Sequence, residues 1–158
     1  MQYRQGDATE LPDVPVVLAH ICNNAGGWGR GFVLAVSRRW AEPERSYRQM
    51  ARQYGGRPPL GEVQFVSVGP EQWVANMVAQ DGYQSRENPV PLRYEALEAT
   101  LAKVAAFAAE KGAVVQMPKI GAGLGGGEWT RIVGLVERTM AMHAVACQVC
   151  VPGGRTIG

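Results

Sequence analysis

Of 158 residues only three are cysteine, Cys22, Cys147 and Cys150, too few and too unevenly spaced for a disulfide framework. Cys147 and Cys150 form a CxxC, but Val145–Val151 reads as a strand, where positions three apart point to opposite faces. No second Cys or His pair accompanies them, so a zinc site has no support and no metal is expected. No run of about eighteen apolar residues exists, which excludes a helical membrane span. Met1–Glu10 lacks a positive stretch followed by an apolar core, so no secretory signal is legible and a reduced, cytoplasmic protein is expected. Net charge is small, +2 from 16 basic and 14 acidic residues, so charge alone does not mark a nucleic-acid binder. Six arginines nevertheless fall between Arg38 and Arg57, opposed only by Glu42 and Glu44. They form either a solvated helical face or a patch for a phosphate-rich partner.

Glycine, by contrast, is abundant: 20 residues, well above a typical ~7%. Four lie within Gly26–Gly31 and five within Gly121–Gly127. Flexible filler would not cluster this way, and such windows keep backbone free to approach something closely. Hydrophobic residues make up 46% and charged residues 19%, as in a globular chain of one domain.

Val-rich runs at Val16–Ile21, Glu62–Val68, Trp73–Ala79, Ala113–Met117 and Val145–Val151 read as strands, and Gln2–Gln5 as an added edge strand. Helices are predicted at Arg30–Trp40, at Glu44–Tyr54 after a Pro43 break, at Arg93–Lys111 and at Glu128–His143. The alternation predicts a three-layer α/β/α sandwich with a mixed, mostly buried central sheet. One domain over residues 1–151 and a frayed tail over 152–158 are expected.

Each glycine window lies just after a strand and just before a helix, at the sheet edge where ligands bind in open α/β folds. Successive glycine N–H groups and a helix N-terminus form an anion nest, so two such loops facing each other would grip a diphosphate. Tight turns and close helix–sheet packing are the structural alternative. Known nucleotide motifs do not fit: no GxxxxGK precedes Ser or Thr, and GGWGRG is not GxGxxG.

The segments Gly6-Asp7-Ala8-Thr9, Ala19-His20-Ile21-Cys22-Asn23, GGWGRGF and Met117–Leu124 occur in an order and spacing that resemble the macrodomain family over residues 1–151. The stretch Trp73–Leu101, with Val78-Ala79-Gln80, is similar to the chromatin-remodeller reader branch. Ala19-His20 and Met117–Leu124 also resemble the terminal ADP-ribose protein glycohydrolase branch. The likeness is strongest to the small bacterial ADP-ribosyl hydrolases of the family. It implies an α/β/α sandwich that binds ADP-ribose, with ADP-ribosylated protein, or nucleic acid carrying the modification, as partner and with no cofactor.

Residue roles follow from the resemblance by position. Asp7 matches the carboxylate that accepts from the adenine amine, and Ala8 supplies backbone beside it. Asn23 matches the amide facing the distal ribose. Gly26, Gly27, Trp28, Gly29, Arg30, Gly31 and Phe32 match one phosphate loop. Pro118, Ile120, Gly121, Ala122, Gly123, Leu124 and Gly125 match the other. Trp28 either covers the distal ribose or folds back onto the core, and Phe32 opens a helix, where core packing is common.

Two family positions differ. Gln80 stands where the glycohydrolase branch has a lysine nucleophile, and Gly125 where it has an aspartate. An amide cannot form a Schiff base, so that covalent route is excluded. Hydrolysis of an ADP-ribosyl ester by a positioned water, a non-catalytic reader and an ADP-ribose-1″-phosphate phosphatase remain as readings. For chemistry, Asn23 and Asp81 are the candidate catalytic residues; Asp81 either acts as base or caps a turn. His20 is either a satisfied core histidine or a crevice group able to support phosphatase chemistry. Tyr83 is left open between stacking on the ligand, bonding it, and neither. Glu128 and His143 are assigned to helix ends.

Overall fold

The structure, a computed structural model, describes residues 1–153; the remainder of the expected tail lies outside the described residues. Among the described residues six strands and four helices follow the predicted alternation. They are β1 Gln2–Gln5, β2 Val16–Asn23, α1 Val33–Arg39, α2 Glu42–Gln53, β3 Val63–Gly69, β4 Gln72–Gln80, α3 Tyr94–Lys111, β5 Val114–Met117, α4 Trp129–Met142 and β6 Cys147–Val151. They form one sheet in the order β1-β6-β5-β2-β4-β3, parallel throughout except for the antiparallel β3–β4 pair. Among the described residues no helix is long and apolar enough to cross a membrane.

Strand alternation splits the core in two. Val17 and Ala19 of β2 with Ala75 and Met77 of β4 face α3 and α4, against Leu97, Leu101, Val104 and Ile132. Leu18 and Cys22, with Val74 and Val78, face α1 and α2, against Val33, Val36, Tyr47 and Met50. Helices on both faces make the expected three layers, which is why the central strands read as continuous apolar runs. Cys147 packs in the first cluster and Cys150 in the second, so the CxxC thiols point to opposite faces.

The third helix stops where Gly112 adopts φ 63° as its C-cap, a conformation that glycine takes without penalty. Pro43 does not break the chain between helices, as the sequence suggested. It sits buried in the first turn of α2, where its missing N–H has no partner to lose; the break comes at Trp40, which is extended. The first glycine loop also runs further than expected, and α1 starts only at Val33 after Phe32.

Candidate functional site

The neighbouring parallel strands β2 and β5 carry the two glycine windows at their C-terminal ends. From β2 the chain proceeds to one side of the sheet, toward β3 and β4. From β5 it proceeds to the other, toward β6. That divergence is a topological switch point, and it leaves a crevice between the loops. The crevice holds about 770 Å³, within the range of small-molecule sites. The loops meet across it: a Cβ on Gly31 would come 3.1 Å from Leu124 Cδ1.

Asn23 shapes the first loop. Its Oδ1 accepts from the N–H of Ala25 (2.8 Å) and of Gly27 (3.2 Å) and from the Tyr47 hydroxyl (3.0 Å). Its Nδ2 donates to the Gly27 carbonyl at 2.9 Å, which leaves one amide N–H for a ligand. The buried Tyr47 hydroxyl also donates to the Asn23 carbonyl at 2.6 Å and accepts from the Gly26 N–H at 3.1 Å. Burial pushes the Tyr47 phenol well above its usual range, so it remains a donor.

In the second loop the Gly125 carbonyl accepts from Leu92 N–H at 3.1 Å, and Gly127 N–H reaches the Gly121 carbonyl at 2.8 Å. A Cβ on Gly125 would lie 2.7 Å from that same Gly121 oxygen. Glycine at 125 is therefore a packing requirement of this loop, and an aspartate there would need the backbone to move.

Thirteen of the sequence-selected residues line the crevice: Asn23, Gly27, Gly29, Arg30, Gly31, Phe32, Gln80, Pro118, Ile120, Gly121, Gly123, Leu124 and Gly125. Gln80 stands in register with Asn23 at the end of β4. Six others lie elsewhere, each for a local reason. Asp7 and Ala8 follow β1, two strands away from β5, at the same sheet edge. Asp7 Oδ1 accepts from the Thr9 N–H (2.8 Å) and hydroxyl (2.7 Å), which lowers its pKa. Gly26 turns its N–H to Tyr47 and backs onto Ala51 and Gly56. Ala122 packs on the core. Trp28 is folded back onto the core, buried against Tyr47 and His20, with Nε1 donating to Ser37 Oγ at 2.7 Å.

Asp81 is the principal correction. Its carboxylate points out of the crevice into a polar brace, 3.7 Å from Arg93 Nε and 3.9 Å from Arg57, and accepts from Asn24 Nδ2 at 3.1 Å. Asp81 lies just past the end of β4, and these three partners hold its carboxylate away from the crevice. Asp81 organises the β4–α3 loop and does not reach the site as a base.

His20 forms part of the crevice floor but is buried. Its Nε2 lies 2.6 Å from Asn76 Oδ1, while Asn76 Nδ2 donates to the Pro43 carbonyl and Gln64 Oε1. The Asn76 oxygen is therefore the acceptor, and the His20 proton sits on Nε2. Burial pushes the imidazole pKa down to about 4, so the ring is neutral near pH 7.

Lys119 and Gln84, which the sequence pattern did not single out, line the crevice, and so does Tyr83, whose alternatives the sequence left open. Lys119 was legible in principle, lying inside the Met117–Leu124 segment. Gln84 was not, and the choice among the alternatives for Tyr83 was not, because a loop held by Asn24 and Asn88 aims both. Arg30 and Lys119 are cationic, and no Asp or Glu lines the crevice among the described residues. An uncharged floor beneath two cations and exposed loop N–H groups suits an anionic ligand.

No protein-family model matches the chain. A solved macrodomain protein from Streptomyces coelicolor is 44% identical, with a TM-score of 0.83 over 96% of this chain and 99% of that one. The ADP-ribose 1″-phosphate phosphatase of Meyerozyma guilliermondii is 26% identical over 175 residues, covering 96% of this chain and 98% of the phosphatase. The mouse chromodomain-helicase-DNA-binding protein 1-like is 27% identical over 92% of this chain, which spans only 17% of that protein's length.

Proposed function

The chain belongs to the macrodomain family, and from that premise we propose that its crevice binds ADP-ribose and hydrolyses ADP-ribosyl esters. The ester is one formed on an acidic side chain or in an O-acyl-ADP-ribose. The observation that carries this reading is the pair of glycine loops meeting at Gly31 and Leu124 over a crevice lined by Arg30 and Lys119 without a carboxylate. The name of the yeast relative, which specifies an ADP-ribose phosphate, supports the choice of ligand. On this reading the N–H groups of both loops hold the diphosphate and the free N–H of Asn23 meets the distal ribose. Asp7, at the same sheet edge, accepts from the adenine amine.

The chemistry follows from what the site lacks. Gln80 cannot attack the sugar, and the lining offers no carboxylate to serve as base. The reaction must therefore draw on a good leaving group. A water held between the diphosphate and the loops attacks the anomeric carbon. The bond to the acyl oxygen breaks with its electron pair leaving on the carboxylate, and the water's proton passes to solvent. ADP-ribose and a free acid result. Fixed N–H dipoles and the two cations stabilise the charge that moves during the step.

A protein carrying glutamate-linked ADP-ribose, incubated with this chain, is expected to release free ADP-ribose faster than in buffer. Intact binding without release would refute hydrolysis and leave a non-catalytic reader of ADP-ribosylated partners, the second reading, which the Gln80, Gly125 and Asp81 findings favour. The phosphatase reading has less support, since both nitrogens of His20 are withdrawn from solvent or already bonded. A His20→Ala variant that stays folded and loses phosphate release from ADP-ribose-1″-phosphate would restore it.

A further inference from the structure

We propose that Tyr83 is the specificity residue by which this crevice recognises the distal ribose, an assignment that rests on the ADP-ribose reading above. Tyr83 lies three residues beyond Gln80, which pairs in register with Asn23, so the phenol stands at the end of the crevice given to the distal sugar. A Cβ on Gly27 would overlap its hydroxyl, so the phenol rests directly on the first glycine loop. Glycine at 27 is what admits it.

The neighbouring polar groups are partly committed. Asn23 Oδ1 accepts two backbone N–H groups and shares the Tyr47 hydroxyl proton with its own main-chain carbonyl, and one of its two N–H groups is used. Gln80 Nε2 donates to the Gly82 carbonyl at 3.1 Å. By contrast, the side-chain bond made to Tyr83 among the described residues goes to its carbonyl, from Asn88 Nδ2 at 3.2 Å, and leaves the hydroxyl for a ligand. That hydroxyl can donate to one ribose oxygen and accept from another.

The loop that carries Tyr83 is held before any ligand arrives. Asn24 Oδ1 accepts from Gly82 N–H at 2.9 Å, and Asn88 Nδ2 donates to the Asp81 carbonyl at 2.7 Å. Asp81, braced by Arg93, anchors the same turn. Tyr83 is 54% exposed, so it gains little from burial and the fold does not depend on it. An exposed aromatic fixed by a rigid turn against a glycine backbone is a preorganised contact.

Calorimetry with two probes tests the assignment: ADP-ribose, and ADP, which lacks the distal ribose. The wild-type chain is expected to prefer ADP-ribose. Tyr83→Phe keeps the ring and removes the hydroxyl, and should weaken ADP-ribose binding by roughly two- to tenfold while leaving ADP unchanged. Tyr83→Ala should erase more of the preference, and thermal unfolding of both variants should match wild type. A Tyr83→Phe variant with the full wild-type preference for ADP-ribose over ADP would overturn the Tyr83 assignment alone. A wild-type chain that binds neither probe would overturn the ADP-ribose reading, and this assignment with it.

Discussion

Adding one methyl group at position 125 tests whether the second loop excludes a side chain for reasons of space. In Gly125→Ala the new Cβ falls 2.7 Å from the Gly121 carbonyl oxygen and 3.1 Å from Gly121 Cα. Both neighbours are backbone, so neither can swing aside. The loop must shift, and two hydrogen bonds shift with it: Leu92 N–H to the Gly125 carbonyl, and Gly127 N–H to the Gly121 carbonyl. Overpacking of this kind costs about 1–3 kcal/mol, the loosened bonds included. For a chain of this size that is a fall in Tm of roughly 3–10 °C. Gly123→Ala is the matched control, because a Cβ there meets nothing within 4 Å. Scanning calorimetry of the two variants beside wild type decides the matter. If Gly125→Ala melts together with Gly123→Ala and wild type, the steric account of Gly125 is wrong. The same geometry predicts that a Gln80→Lys, Gly125→Asp double variant gains no glycohydrolase activity, since the carboxylate displaces the loop it would act from.

Three further expectations follow from the same contacts. Asp81→Asn should keep ester turnover within about threefold, whereas loss of a true general base would cost about a hundredfold or more; single-turnover assays separate the two. Because His20 has its pKa lowered to about 4 from 6.5, the unfolded chain binds a proton between those values that the folded chain does not. Its contribution to stability is therefore complete above about pH 6.5 and lost as pH falls through about 4. That is on the order of 3 kcal/mol, and urea titrations across this range should show a flatter profile in His20→Gln. Trp28→Phe should lower stability by about 1 kcal/mol through loss of the bond to Ser37 while leaving ADP-ribose affinity unchanged by calorimetry; a large loss of affinity would return Trp28 to the ligand site.

Local pattern made the scaffold legible. The strands, the helices and the edge strand at Gln2–Gln5 follow from periodicity and punctuation, because burial on both faces selects continuous apolar runs in β2 and β4. The two glycine windows were equally plain, since their positions between strand and helix depend only on chain order. Helix starts were less so. Phe32 and Pro43 shifted because helix ends are set by how the chain packs at the break near Trp40.

Sequence by itself determined that this chain is a three-layer α/β/α domain with two glycine loops at equivalent places, one polar amide at Asn23 and no lysine at position 80. Tertiary structure decided which side chains face the crevice. Trp28 went to the core because Ser37 and Tyr47 complete its environment, and Asp81 turned outward because Arg93, Arg57 and Asn24 outweigh what the crevice offers a carboxylate. Tyr83 came inward because Gly27, distant from it in sequence, leaves room for its hydroxyl. Each outcome depends on partners brought together only by the sheet order, and a side chain's direction is set by such contacts.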